Sequence, residues 1–122
     1  MSRLYALRGA TTVDADERAA ILAATDELMH ALLERNELAA DDLVSCLFTL
    51  TPDLNAEFPA VAAREMGLSA VPLMCARELD VPGAMPRVIR VMVHCYLPDG
   101  REPQHVYLRE ARGLRLDLEG AQ

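Results

Sequence analysis

The 122-residue sequence predicts an α+β fold in which a mixed β-sheet carries helices on one face. Three observations carry that reading. Apolar runs of strand length recur from the N-terminus to the C-terminal third. One strongly periodic helical segment follows the first run. The resulting order, β-α-β-α-β-β-β, is most simply buried as two layers. A chain of this length buries about two thirds of the surface its unfolded form exposes, so residues 1–122 are expected to form one domain around one core.

"RLYALRGATTV" alternates, with Leu4, Ala6 and Arg8 on one face and Tyr5 and Leu7 on the other, which predicts a strand over 3–10 ending near Arg8 and Gly9. A helix follows. Its acidic "DADE" start suits the positive N-terminal dipole; Ile21, Leu22, Leu28, Met29, Leu32 and Leu33 recur at helical spacing, and Asn36 closes it. "AADD" reads as a turn before the strand "LVSCLFTL", residues 43–50. A short helix within "TPDLNAEFPAVAAREMG" has Pro59 in its first turn and Gly67 at its end. Strands are then expected at 70–75 and 87–97, separated by a loop that Pro82, Gly83 and Pro86 break. A polar turn leads to "QHVYL", which is expected to pair back as a hairpin.

Composition excludes several functions. The net charge of -7 opposes general nucleic-acid binding, because phosphates would be repelled over most of the surface. No apolar run approaches the roughly 20 residues of a membrane span, and "MSRLYALRG" lacks a signal-peptide core, so a cytoplasmic protein without membrane contact is expected. Three cysteines, Cys46, Cys75 and Cys95, show no disulfide-framework spacing and suit free thiols. The histidines His30, His94 and His105 lack zinc-site spacing, and no phosphate loop or nucleophile elbow is present; neither a metal nor covalent catalysis is expected.

Arginine is more informative. All 12 basic residues are arginine, and residues 62–122 hold eight of them against eight acids, while residues 1–61 hold four against eleven. Arg90 interrupts "RVIRVMVHCYL", where an unpaired buried charge would cost several kcal/mol. Its partner is either an acid such as Glu78 or a bound anion. A guanidinium fork matches a carboxylate bidentately, so converging arginines such as Arg8 and Arg90 describe a site for a small di- or tricarboxylate. Cys75 and Glu78, three residues apart, offer a thiol and a carboxylate suited to a hydroxyl. Strands this apolar are seldom left wet on one side, which also predicts a homo-oligomer packed sheet against sheet.

Four segments in order, "LRGATTV", "TPDLNAEFPAVAARE", "VPLMCARELDVPGAMPRVIRVMV" and "HVYLREARGLRLDLE", resemble the monofunctional chorismate mutase family of the Bacillus type. The resemblance runs almost end to end. It implies a homotrimer with sheets packed into a pseudo-barrel and active sites between subunits. It also implies a cofactor-free rearrangement of chorismate to prephenate on the route to phenylalanine and tyrosine. Carried over residue by residue, it gives Arg8 and Tyr107 a substrate carboxylate, and Arg90 a carboxylate together with the ether oxygen of the breaking bond. Glu78 and the side chain or backbone of Cys75 receive the ring hydroxyl, and Phe58, Ala60, Arg64, Leu73, Met74, Leu114 and Arg115 form walls and rim. Val61, where a relative carries lysine, and the Leu73–Met74 pair, where it carries valine and threonine, depart from the pattern at the rim. Rival readings are a Rid-type enamine/imine deaminase, which also binds a carboxylate by arginine between subunits, and a metabolite-binding trimer without catalysis.

Overall fold

The computed structural model describes residues 1–114. Five strands, β1 (Ser2–Thr12), β2 (Leu43–Leu50), β3 (Leu73–Arg77), β4 (Val88–Pro98) and β5 (Val106–Tyr107), form one sheet in the order β3-β2-β4-β1-β5. Helices α1 (Arg18–Arg35) and α2 (Ala60–Glu65) connect β1 to β2 and β2 to β3; 3-10 turns lie at Ala40–Asp42 and Arg109–Ala111.

β4 is the axis of the sheet. It runs antiparallel to β1 over eleven rungs, from Ser2 opposite Pro98 to Thr12 opposite Val88, and antiparallel to β2 on its other edge, with a bulge between Leu43 and Ser45. β3 adds parallel to β2. β1 is longer than alternation predicted because β4 pairs along all of it. β3 starts later than predicted, after Pro72, whose carbonyl still accepts the Cys46 N–H at 3.0 Å.

The last strand corrects an expectation. β5 is not the return arm of a hairpin with β4; it lies parallel to β1, with Val106 opposite Gly9 and Tyr107 opposite Ala10. Both edges of β4 are already occupied, so the chain turns past β1 and takes the free edge there. Asn36, fully buried at the end of α1, fixes that path: its amide donates to the Leu32 and Gln104 carbonyls and accepts the Gln104 N–H, all at 2.8–2.9 Å.

A second expectation shifts as well. "DADE" precedes α1 instead of forming its first turn, which contains no acid. Asp16 Oδ1 accepts the backbone N–H groups of Asn55 (2.8 Å) and Ala56 (2.9 Å), tying the start of α1 to the loop before α2.

Both helices cover the same face. Leu28, Met29 and Leu32 of α1 and Ala60 and Ala63 of α2 share a core with Leu7, Cys46, Phe48, Val91, Val93, Cys95 and Leu97. The approach is close at Gly9, where a Cβ would lie 2.8 Å from Leu32 Cδ1 and 3.0 Å from Val91 Cγ1. Only glycine lets α1 settle onto β1 there.

Candidate active site

Strand parity decides what faces the open side. Successive side chains alternate, so the odd positions of β4 (Ile89, Val91, Val93, Cys95, Leu97) are buried under the helices, while Arg90, Met92, His94 and Tyr96 face away and keep some exposure. Register then aligns one rung across all five strands: Ala76, Thr49, Arg90, Ala10 and Tyr107. The next rung on the same face reads Met74, Leu47, Met92 and Arg8. Long side chains beside alanines leave a hollow. A pocket of about 290 Å³ opens between these rungs, lined by Arg8, Ala10, Leu47, Thr49, Arg90, Met92 and Tyr107 with the backbone of Gly9 and Val91. Two arginines thus meet over an otherwise mainly apolar floor.

Glu78 answers the question Arg90 raised. It follows β3 directly, its N–H donates to the Leu50 carbonyl at 2.9 Å, and its parity returns the side chain to the open face. Arg90 Nε donates to both carboxylate oxygens, at 3.1 and 3.0 Å. Thr49, beside Arg90 on the same rung, donates its hydroxyl to Glu78 Oε2 at 2.6 Å. Arg90 is not deeply buried: its side chain is 41% exposed and that of Glu78 17%. Of the two partners expected as alternatives the structure shows the internal acid, and Glu78 engages only Nε of Arg90. Arg8 lies one rung along, with its backbone N–H donated to His105 Nδ1 at 3.0 Å.

Other predicted residues lie elsewhere. Cys75 shares the helix-side rung of Phe48 and Val91 and so points away from Arg90 and Glu78. Burial raises its thiol pKa, against the opposing effects of the Ala60 N–H and the Arg64 charge. Ala60 is buried at the start of α2, Arg64 is exposed on it, and Leu73 packs at the core margin. Phe58 (64% exposed) and Met74 (63% exposed) are presented to solvent. The loop behind Phe58 is braced: Arg77 donates to Pro52 O (3.0 Å) and Asn55 Oδ1 (2.7 Å), and Glu57 accepts both the Phe58 N–H and Arg18 Nε. Those contacts hold the Glu57 carboxyl below its ordinary pKa, the Phe58 N–H most strongly. Leu114 is half-buried at the end of the described chain, and Arg115 lies outside the described residues.

Thus one set of predicted residues (Arg8, Glu78, Arg90, Tyr107) gathers on the open face, and a second (Phe58, Ala60, Arg64, Leu73, Cys75) gathers around α2. In a single chain the pocket lined by Arg8, Arg90 and Tyr107 contains none of the second set, and Phe58 and Cys75 line a separate one.

Comparison with known proteins decides the family. The model of chorismate mutase type I matches residues 4–118. The chain belongs to the type I chorismate mutase family. It is 50% identical over 119 residues to chorismate mutase AroH of Thermus thermophilus, covering 95% of this chain and 97% of that protein. It is 43% identical over 115 residues to chorismate mutase AroH of Bacillus subtilis (strain 168), covering 92% and 90%. The structure of chorismate mutase from Clostridium thermocellum superposes with a TM-score of 0.85 at 45% identity, over 89% of this chain and 98% of that one. The family makes this chain an isomerase with an α+β, chorismate-mutase-like fold. No helix of the described residues is long and apolar enough to cross a membrane.

Sequence reading missed Thr49. Its signal was present, a hydroxyl at the parity of Leu47 in an apolar run, but only the pairing of β2 with β4 sets it beside Arg90.

Proposed function

We propose that this chorismate mutase, acting as a single cytoplasmic domain in a homotrimer, rearranges chorismate to prephenate in pockets that two copies complete. The separation of the site residues into two sets on opposite faces of one sheet carries this reading. In it, the open face of one copy supplies Arg8, Arg90, Glu78 and Tyr107. The α2 edge of the next copy supplies Phe58, Ala60, Arg64, Leu73 and Cys75, while Met74 projects from the open face beside Leu47 and Leu114 and Arg115 act at the rim. Packing between copies also removes from water the apolar residues the open face leaves half exposed, Leu4, Leu47 and Tyr96 among them.

The chemistry asks little of the protein beyond shape and charge. A [3,3]-sigmatropic shift transfers no proton and needs no nucleophile, so catalysis consists of holding the reactive conformer and stabilising separated charge. Arg8, helped by the Tyr107 hydroxyl, binds a substrate carboxylate. Glu78 and the side chain or backbone of Cys75 hold the ring hydroxyl. Arg90, with Nε held by Glu78, turns its remaining donors towards a carboxylate and the ether oxygen, where negative charge grows as the C–O bond lengthens. That contact is stronger in the transition state than in the ground state, so it accelerates the step.

Subunit complementation tests the shared pocket. Arg90→Ala and Arg64→Ala damage different contributors, so each variant alone is expected to lose most activity, measured as the fall in chorismate absorbance with prephenate formed. Refolding the two together creates some pockets with neither lesion, and activity is expected to reappear. If the mixture stays at the mean of the separate variants although mixed oligomers form, each pocket belongs to one chain.

A further inference from the structure

We propose that Thr49 is a positioning residue for the rearrangement, acting through Glu78 to set the orientation of Arg90. The inference rests on the reading of Arg90 as the cation at the ether oxygen. Four observations carry it. Thr49 and Arg90 are direct partners on adjacent antiparallel strands and share the open face. The Thr49 hydroxyl has one proton to give, and Glu78 Oε2 receives it at 2.6 Å, the short range of a bond to a charged acceptor. The same carboxylate receives Arg90 Nε on both oxygens, at 3.1 and 3.0 Å. Among the described residues the Nη groups of Arg90 have no hydrogen-bond partner, and Arg90 lines the pocket.

A glutamate held only by its backbone and one arginine can rotate about its terminal torsions and carry the guanidinium with it. The hydroxyl supplies a second fixed point on the sheet, so the carboxylate plane, and with it the arginine fork, has one orientation. Donors aimed in advance at the developing charge avoid reorganisation during the reaction. Nothing in this requires Thr49 to touch substrate. It sets how well Arg90 stabilises the transition state, and therefore acts on kcat more than on KM.

Thr49→Val removes the hydroxyl and keeps the β-branched shape that suits β2. We expect kcat to fall about 5- to 10-fold with KM within about twofold of the parent, the scale of one lost hydrogen bond. Thr49→Ser restores the donor and is expected to keep at least about half of the parent kcat by the same reasoning. In a Glu78→Ala background, adding Thr49→Val is expected to change kcat by less than about twofold, since the group it acts through is gone. A parental kcat in Thr49→Val, a Ser variant as slow as the Val variant, or a full further loss in the Glu78→Ala background would each overturn the relay. Arg90→Ala, assayed alongside, separates the two readings. If it loses turnover while Thr49→Val does not, the positioning role fails and the Arg90 reading stands; if it keeps turnover, the Arg90 reading itself fails.

Discussion

The two faces of this sheet are made by the same strands and built to different rules. On the helix-covered face, Leu7, Phe48, Val91, Val93 and Leu97 are at most 3% exposed and belong to one apolar core. On the open face, charge and hydroxyl are interleaved with long apolar side chains: Arg90 beside Met92, Thr49 beside Leu47, Arg8 opposite Met92. The difference predicts that an eleven-residue strand such as β4 serves stability and chemistry at once. Alternation assigns the odd positions to one and several even positions to the other, so substitutions on β4 should separate by parity.

The largest effect is expected at Arg90. Arg90→Ala should reduce turnover by about 10²- to 10³-fold, or more because the lost donor is charged, while circular dichroism and oligomer size stay close to those of the parent. Its side chain is 41% exposed, so the fold has little to lose. Arg90→Lys should also be slow, because an ammonium cannot give Nε to Glu78 and further donors to substrate. Near-parental turnover in Arg90→Ala would break the comparison at its chemical end.

Leu97 is its counterpart at an odd position of the same strand. It is completely buried and lies seven residues from Arg90, opposite Arg3 at the far end of the β1 pairing. Leu97→Ala should cost about 2–5 kcal/mol, read as a lower denaturant midpoint, with turnover per folded molecule unchanged. A loss of turnover without a loss of stability would show that parity does not divide the two roles.

Much of this is legible in the sequence. Alternation placed Arg8 with Leu4 and Ala6, and away from Leu7, correctly; period 3.6 found α1; Pro59 and Gly67 framed α2. These signals are local. What escaped was set by pairing between distant segments: β5 joins β1 because β4 has no free edge, and "DADE" braces the loop at Asn55 and Ala56. The sequence sets Cys75 and Glu78 three residues apart as a thiol and a carboxylate suited to one hydroxyl. Three residues along a strand is an odd separation, and it sends their side chains to opposite faces. The expected strand stops at residue 75, and only the pairing with β2 carries β3 on to Arg77 and fixes that parity.

The smallest effect expected is a dependence of stability on alkaline pH, and it probes the helix-covered face alone. Cys46 is fully buried between β2 and the helices. Burial pushes its thiol up to about 11 from an ordinary 9.0, with Cys95 nearby adding to the rise. Burial also raises Cys75 and Cys95. A thiol that ionises later in the folded chain than in the unfolded one contributes its full stability below pH 9. That contribution drains away as pH climbs towards 11, because the unfolded state releases its proton first. For Cys46 the fall should reach about 2–3 kcal/mol at most, measured as unfolding free energy between pH 8 and 11. Cys46→Ala should start less stable and decline more gently over the same range. An equal slope in both proteins would mean that the Cys46 sulfur meets water in the folded chain, and that the helices do not seal this face of the sheet.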